Sequence, residues 1–336
     1  MITVSQIKEF LATITDVLPV GRYFSASGFE FEFVGFYKEN GKNCALFLMF
    51  NEELCEMIEE YELSNASIDR SLTSTLREKE RQHIHFDIDI PKISKIAFGD
   101  KLCRIKASSQ TQLSNDEGRH SLLLAEFIRK GWESKRFADT CPANIFLFTC
   151  SPDGAFPVNA NENIVLSFAP MHKTHLAEIP VTLKVSEDNG VFILPDGQKV
   201  YIRNVQPFDI HKHTREVFES EKIRNAFSPE ELEAQLKITE ESNKELCPVG
   251  KVFLAVEYEA PENTTIRIIP KSELDSEIRC RNGAFGIIMS PSAQPQHDGY
   301  KIRTETISLP LDPDIKSLEA EIFSFTVSTQ PENITL

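Results

Sequence analysis

The chain has 336 residues, 41% hydrophobic and 26% charged, with 24 Phe, one Trp and a formal net charge of −15. That length exceeds one typical domain of roughly 100–200 residues, and the apolar content excludes wholesale disorder. The acidic balance repels phosphate backbones and argues against nucleic-acid binding, while no apolar run approaches the roughly 20 residues that span a bilayer.

The seven Cys include no C-x-x-C pair, which fits reduced, mostly buried thiols and a cytoplasmic location. The first residues show neither a basic n-region nor an apolar h-region. Ser5 to Ile14 has the spacing of an amphipathic helix, through Ile7, Phe10, Leu11 and Ile14. Phe29 to Tyr37 and Asn43 to Phe50 read as a hairpin around Glu39-Asn40-Gly41. Helices are expected over Asn51 to Tyr61 and Ile68 to Lys79.

Gln82 to Pro91 then alternates without a break. As a strand it places Ile84, Phe86, Ile88 and Ile90 on one face and His83, His85, Asp87 and Asp89 on the other. Two His at i and i+2 on a strand project about 7 Å apart on one side, close enough to share a metal. A carboxylate farther along the row supplies a third ligand or orients an imidazole. The same row also fits a solvated strand face. A divalent metal, zinc or manganese, is the cofactor such a set would hold.

Ile93 to Ala107 reads as further strand, broken at Gly99-Asp100. Ser108 to Gly118 reads as a polar loop, and Arg119 to Phe137 as a helix. A boundary is expected near Ala138 to Pro142. Beyond it, Asn144 to Cys150, Asn163 to Ala169 and Ile179 to Val185 read as strands. Val191 to Leu194 and Gln198 to Arg203 form a hairpin around Pro195-Asp196-Gly197. Helices follow over Ile210 to Ala226 and from Ser228, where Ser228, Pro229 and Glu231 make a capping box. Strands resume at Lys251 to Tyr258 and Thr264 to Ile269, Ala284 to Met289 is a short apolar run, and Lys301 to Leu309 and Glu319 to Thr329 read as alternating strands. Pro291 to Gly299 reads as a surface loop and Gln330 to Leu336 as a frayed tail.

The fold class expected is α+β in two units. One is an α+β domain over 1–140; the other is a β-rich domain over 141–336, with a helical pair inserted at about 208–246. Two further His pairs stand out, His172/His175 and His211/His213. The first faces one way if its turn is helical; the second, at i and i+2 of a helix, does not. Phosphate-binding glycine loops, the G-x-S-x-G elbow and the H-E-x-x-H and Cys/His zinc spacings are absent.

Two functions follow as expectations. The first is a non-catalytic protein-interaction or assembly module, working through a protein partner or self-association, with no nucleic acid and no membrane. Its basis is the many short strands whose edges can pair. The second is a metal-dependent hydrolase. There His83 and His85 would be ligands, and Asp87 or Asp89 a third ligand or general base. A metal or ligand sensor without turnover would use the same residues.

Overall fold

A computed structural model describes residues 3–67, 75–87, 89–115, 118–154, 163–277 and 294–336. It is a mixed α and β structure that divides into two compact units. One comprises 1–68, 88–172 and 328–336; the other comprises 69–87 and 173–327. The position at 138–142 lies inside the first unit, because the strand after it is hydrogen-bonded between two earlier ones.

The first unit is built on an eight-stranded antiparallel sheet. Its strands are β1 (Ile14–Ala26), β2 (Phe29–Glu39), β3 (Lys42–Phe50), β4 (Ile93–Phe98), β5 (Lys101–Gln112), β6 (Phe146–Pro152), β7 (Ile164–Phe168) and β15 (Glu332–Thr335). They lie in the order β1-β2-β3-β6-β5-β4-β7-β15. The sheet curls until its ends approach. Phe24 of β1 and Phe168 of β7 are 6.2 Å apart between ring centroids, and Ser27 donates from backbone N and Oγ to Glu332 at 3.0 Å. The concave side is filled with Phe24, Phe31, Phe33, Phe36, Phe47, Phe148 and Phe168. Stacked and edge-on ring pairs add to plain area burial.

The convex side is covered by α4 (Arg119–Arg129) and the segment after it, through Leu123, Phe127, Trp132 and Phe137. Gly35 makes the close approach possible: a Cβ there would lie 2.2 Å from the Leu18 carbonyl oxygen and 2.8 Å from the Phe127 ring. Helices α1 (Val4–Thr13) and α2 (Glu52–Ser67) complete the unit.

Several expectations give way here. Ser108 to Gln112 is the end of β5 and not a loop, since its polar side chains sit on a paired ladder with β6. Gln330 to Leu336 is not a frayed tail: β15 pairs with β7, and Ile334 and Leu336 pack on the core. The helix after Gly118 ends at Arg129, ahead of the left-handed Gly131. The apolar run at 284–289 lies outside the described residues, as does 68–74, the start of an expected helix.

The second unit is a β-sandwich. One sheet runs β13-β11-β10-β9, from Tyr300–Leu311, Val252–Pro261, Lys199–Phe208 and Gly190–Ile193. The other runs β12-β14-β8, from Thr264–Pro270, Ser317–Ser328 and His172–Lys184. The two share one core, including Leu183, Val200, Ile202, Leu254, Val256, Ile266, Ile322 and Phe325. Helices α5 (Ile210–Glu219), α6 (Glu221–Arg224) and α7 (Pro229–Leu246) lie between β10 and β11 in sequence. The capping box at Ser228 and Glu231 is present. The helix expected over 210–226 is broken by the extended backbone of Ser220. Phe208, Ile210, Cys247, Phe253 and Ala255 join α5 and the end of α7 to the outer face of the four-stranded sheet.

Glu305 of β13 points into the sandwich, opposite Val256 and on the same face as Ile307. Burial pushes its carboxyl up to about 7, against the opposing pull of Arg267 and the Ile268 N–H. A carboxyl raised in the folded state destabilises as pH rises from its unfolded value through the folded one. Glu305→Gln is therefore expected to stabilise the protein by on the order of 2 kcal/mol at pH 8 and to change little at pH 4. Urea melts at the two pH values check this; equal effects at both would contradict it.

Candidate functional site

The row His83, His85, Asp87 and Asp89 is not a strand face. His83 and His85 end the helix α3 (Leu76–His85), which starts at a capping box between Thr75 and Glu78. The helical period wins because it is the one that buries anything: Leu76 and Ile84 pack on Ile269, Leu274 and Phe323. Ion pairs then fix the helix. Arg77 binds Glu321 at 2.7 Å and Asp275 at 3.1 Å, and Glu80 accepts from Arg267. On a helix, i and i+2 diverge, so His83 and His85 do not face one another.

Asp87 is exposed and follows the helix, and Asp89 lies beyond Ile88, which is outside the described residues. The Asp89 carboxylate accepts the backbone N–H of His172 at 2.5 Å. His172 and His175 sit on strand β8, where i and i+3 point to opposite faces. His175 stacks on Phe325, and His172 Nδ1 meets Ser328 Oγ. His211 donates from Nε2 to the Cys247 carbonyl at 2.8 Å. His213 packs near Phe208. Among the described residues, no three His, Cys, Asp or Glu side chains are grouped to hold a metal ion. Cys150 is buried, which pushes its thiol well up, and Cys141 is exposed.

A different cluster draws polar groups together. Glu259 of β11 has no exposed side-chain surface. Its Oε2 accepts from Arg203 of β10 at 2.8 and 3.1 Å. Its Oε1 accepts the backbone N–H groups of Gln296 and His297, at 2.9 and 2.7 Å. His297 Nδ1 meets the same oxygen at 2.9 Å. Burial alone would raise this carboxyl, but Arg203, His297 and the two amides outweigh it and hold it below the usual range.

An ionised Glu259 cannot donate, so His297 Nδ1 carries the hydrogen. The 3.4 Å approach of Arg203 to Nδ1 is then a contact and not a hydrogen bond. The imidazole stacks on Tyr201, with centroids 4.2 Å apart and planes 16° apart, and Tyr300 lies 5.5 Å away. Arg203 also sits over the Tyr201 ring, and its outer edge is 3.8 Å from Asp188.

The pairing register places this cluster next to an edge that no further strand covers among the described residues. Val191 of β9 stands opposite Tyr201, and Tyr201 stands opposite Glu259. On the same outer face Val191 and Ile193 are 51% and 62% exposed, although β9 ends the sheet. Leu194 N–H donates to the Gln198 carbonyl. Bonded and non-bonded pairs alternate in an antiparallel ladder, so Val191 and Ile193 turn their N–H and C=O groups away from β10.

Nothing in the sequence marked His297, which lies in a polar loop. Glu259 did carry a signal. Nine residues from Val252 to Ala260 are all buried, and a near-continuous apolar run with two Glu in it is a strand covered on both faces. Charges inside such a strand need partners.

The chain matches no protein-family model, no curated protein and no solved structure.

Arg203→Ala removes the charged partner of a fully buried carboxylate. It is expected to cost about 3 kcal/mol in denaturant unfolding near pH 7. Asp188→Ala, which cuts an exposed contact to the same arginine, should cost no more than about 0.5 kcal/mol. The Arg203 penalty should shrink in acid, because a carboxyl lowered in the folded state loses its contribution as pH falls through that value. Equal costs for the two variants would refute this account.

Proposed function

We propose that the chain is a protein-interaction or assembly module whose docking element is the open edge of β9. The observation that supports this reading is the coincidence, on one short strand, of outward-turned backbone groups and two exposed apolar side chains. A partner segment in extended form would add as a further strand, taking main-chain bonds from Val191 and Ile193 and covering their side chains. Tyr201, held flat by His297, extends the apolar row inward. The metal-dependent hydrolase has no comparable support among the described residues: its four side chains divide between the end of a helix and irregular backbone.

Val191→Pro and Ile193→Pro each remove an outward N–H while leaving the bonds to β10 in place. Extended peptides selected from a displayed random library against the wild type should bind it and lose at least about tenfold in affinity for each variant. Circular dichroism should show unchanged strand content. Light scattering distinguishes a second copy of the chain as the occupant. A strict monomer that selects no peptide, or peptides that bind both proline variants equally, would sink the reading.

A further inference from the structure

The Glu259–His297 pair does more than a docking edge requires. A loop can be anchored to a sheet by its backbone alone, and Gln296 and His297 already donate two N–H groups to Glu259. The ring adds a third bond through Nδ1 and is braced against Tyr201. This fixes both its tautomer and its direction. Nε2 is left with its lone pair free, on a side chain 38% exposed, and has no partner among the described residues.

We propose that His297 is a nucleophilic imidazole centre for acyl transfer, with Nε2 as the attacking atom and Glu259 as the positioning residue that receives the Nδ1 proton. The donor class is a neutral ester or thioester. A chain of net charge −15 repels anionic donors, and the neighbouring Tyr201, Tyr300 and Val191 offer aromatic and apolar surface. In the step itself, the Nε2 lone pair bonds to the acyl carbon and the bond from that carbon to the leaving oxygen or sulfur breaks. The leaving group departs with the electron pair. The acylated ring then gives its Nδ1 proton to Glu259, from which it passes to the leaving group through solvent. Water cleaves the acyl-imidazole and restores the site.

Diethyl pyrocarbonate, a neutral acylating probe, tests this on the whole chain, with each histidine followed by peptide mass spectrometry. His83 is exposed and serves as the reference in the same molecule. Exposure alone ranks His83 ahead of half-buried His297. Activation by the carboxylate reverses the order, and His297 should label at least about tenfold faster. In Glu259→Gln the His297 rate should fall to that of His83. A carboxylate that merely anchored the loop would give the opposite: substitution would free the ring, and its labelling would rise. His297 slower than His83 in the wild type overturns the proposal without any variant, and an unchanged or increased rate in folded Glu259→Gln removes Glu259 from it.

Discussion

Of the four strand carboxylates with little or no exposure, three set much of what is ordered outside the sheets. Glu32 of β2, Glu321 of β14 and Glu259 of β11 each expose less than a tenth of their surface. Taking a carboxylate out of water costs several kcal/mol unless donors replace the solvent. Each therefore gathers donors from a segment outside its own strand. Glu32 takes the Trp132 indole N–H and the Ser134 hydroxyl, which dock the chain leaving α4. Glu321 takes Arg77 and so docks α3. Glu259 takes Arg203, His297 and two amides, which dock the segment before β13.

The three differ in how well the donors offset burial. Glu32 has only neutral donors, and burial keeps its carboxyl raised. Glu321 and Glu259 each have an arginine, and both carboxyls are lowered. Charge-assisted bonds are about twice as strong as neutral ones, which is enough to reverse the sign. Glu32 is thus a structural tie whose neutral donors only partly offset its burial. Glu259 is ionised at neutral pH, and for that reason it dictates the tautomer of His297.

The sequence revealed elements better than it revealed neighbours. Hairpins at 29–50 and 190–208 and the helix after Ser228 were legible because turn glycines, alternation and a capping box act within a few residues. The row from Gln82 to Pro91 failed for a physical reason. A period of two and a period near four both accommodate Ile84, and only the tertiary contacts of Leu76 and Ile84 decide between them. The end of β5 failed because a ladder can carry Ser, Thr and Gln when β6 supplies the pairing. The site as a meeting of three residues was not legible, although the apolar run around Glu259 carried a signal for that one residue. Glu259, Arg203 and His297 span nearly a hundred residues of chain, and their meeting depends on the pairing of β10 with β11, which no local signal encodes.

The case for β9 as the docking edge rests on how the other edges of the sandwich are blunted. The β8 edge contains Pro180 and the left-handed Glu178. On β12, the Ile268 N–H is taken by Glu305. The β13 strand has an irregular register near Leu254 and carries Lys301, Arg303 and Pro310. Such devices are how proteins keep sheet edges from pairing. The β9 strand has only its shortness, and two residues turned outward offer two N–H and two C=O groups. At about 1 kcal/mol each, with about 2 kcal/mol from each covered side chain, the gross gain is roughly twice the smallest entropic cost of association. That balance favours weak, reversible docking over a permanent interface.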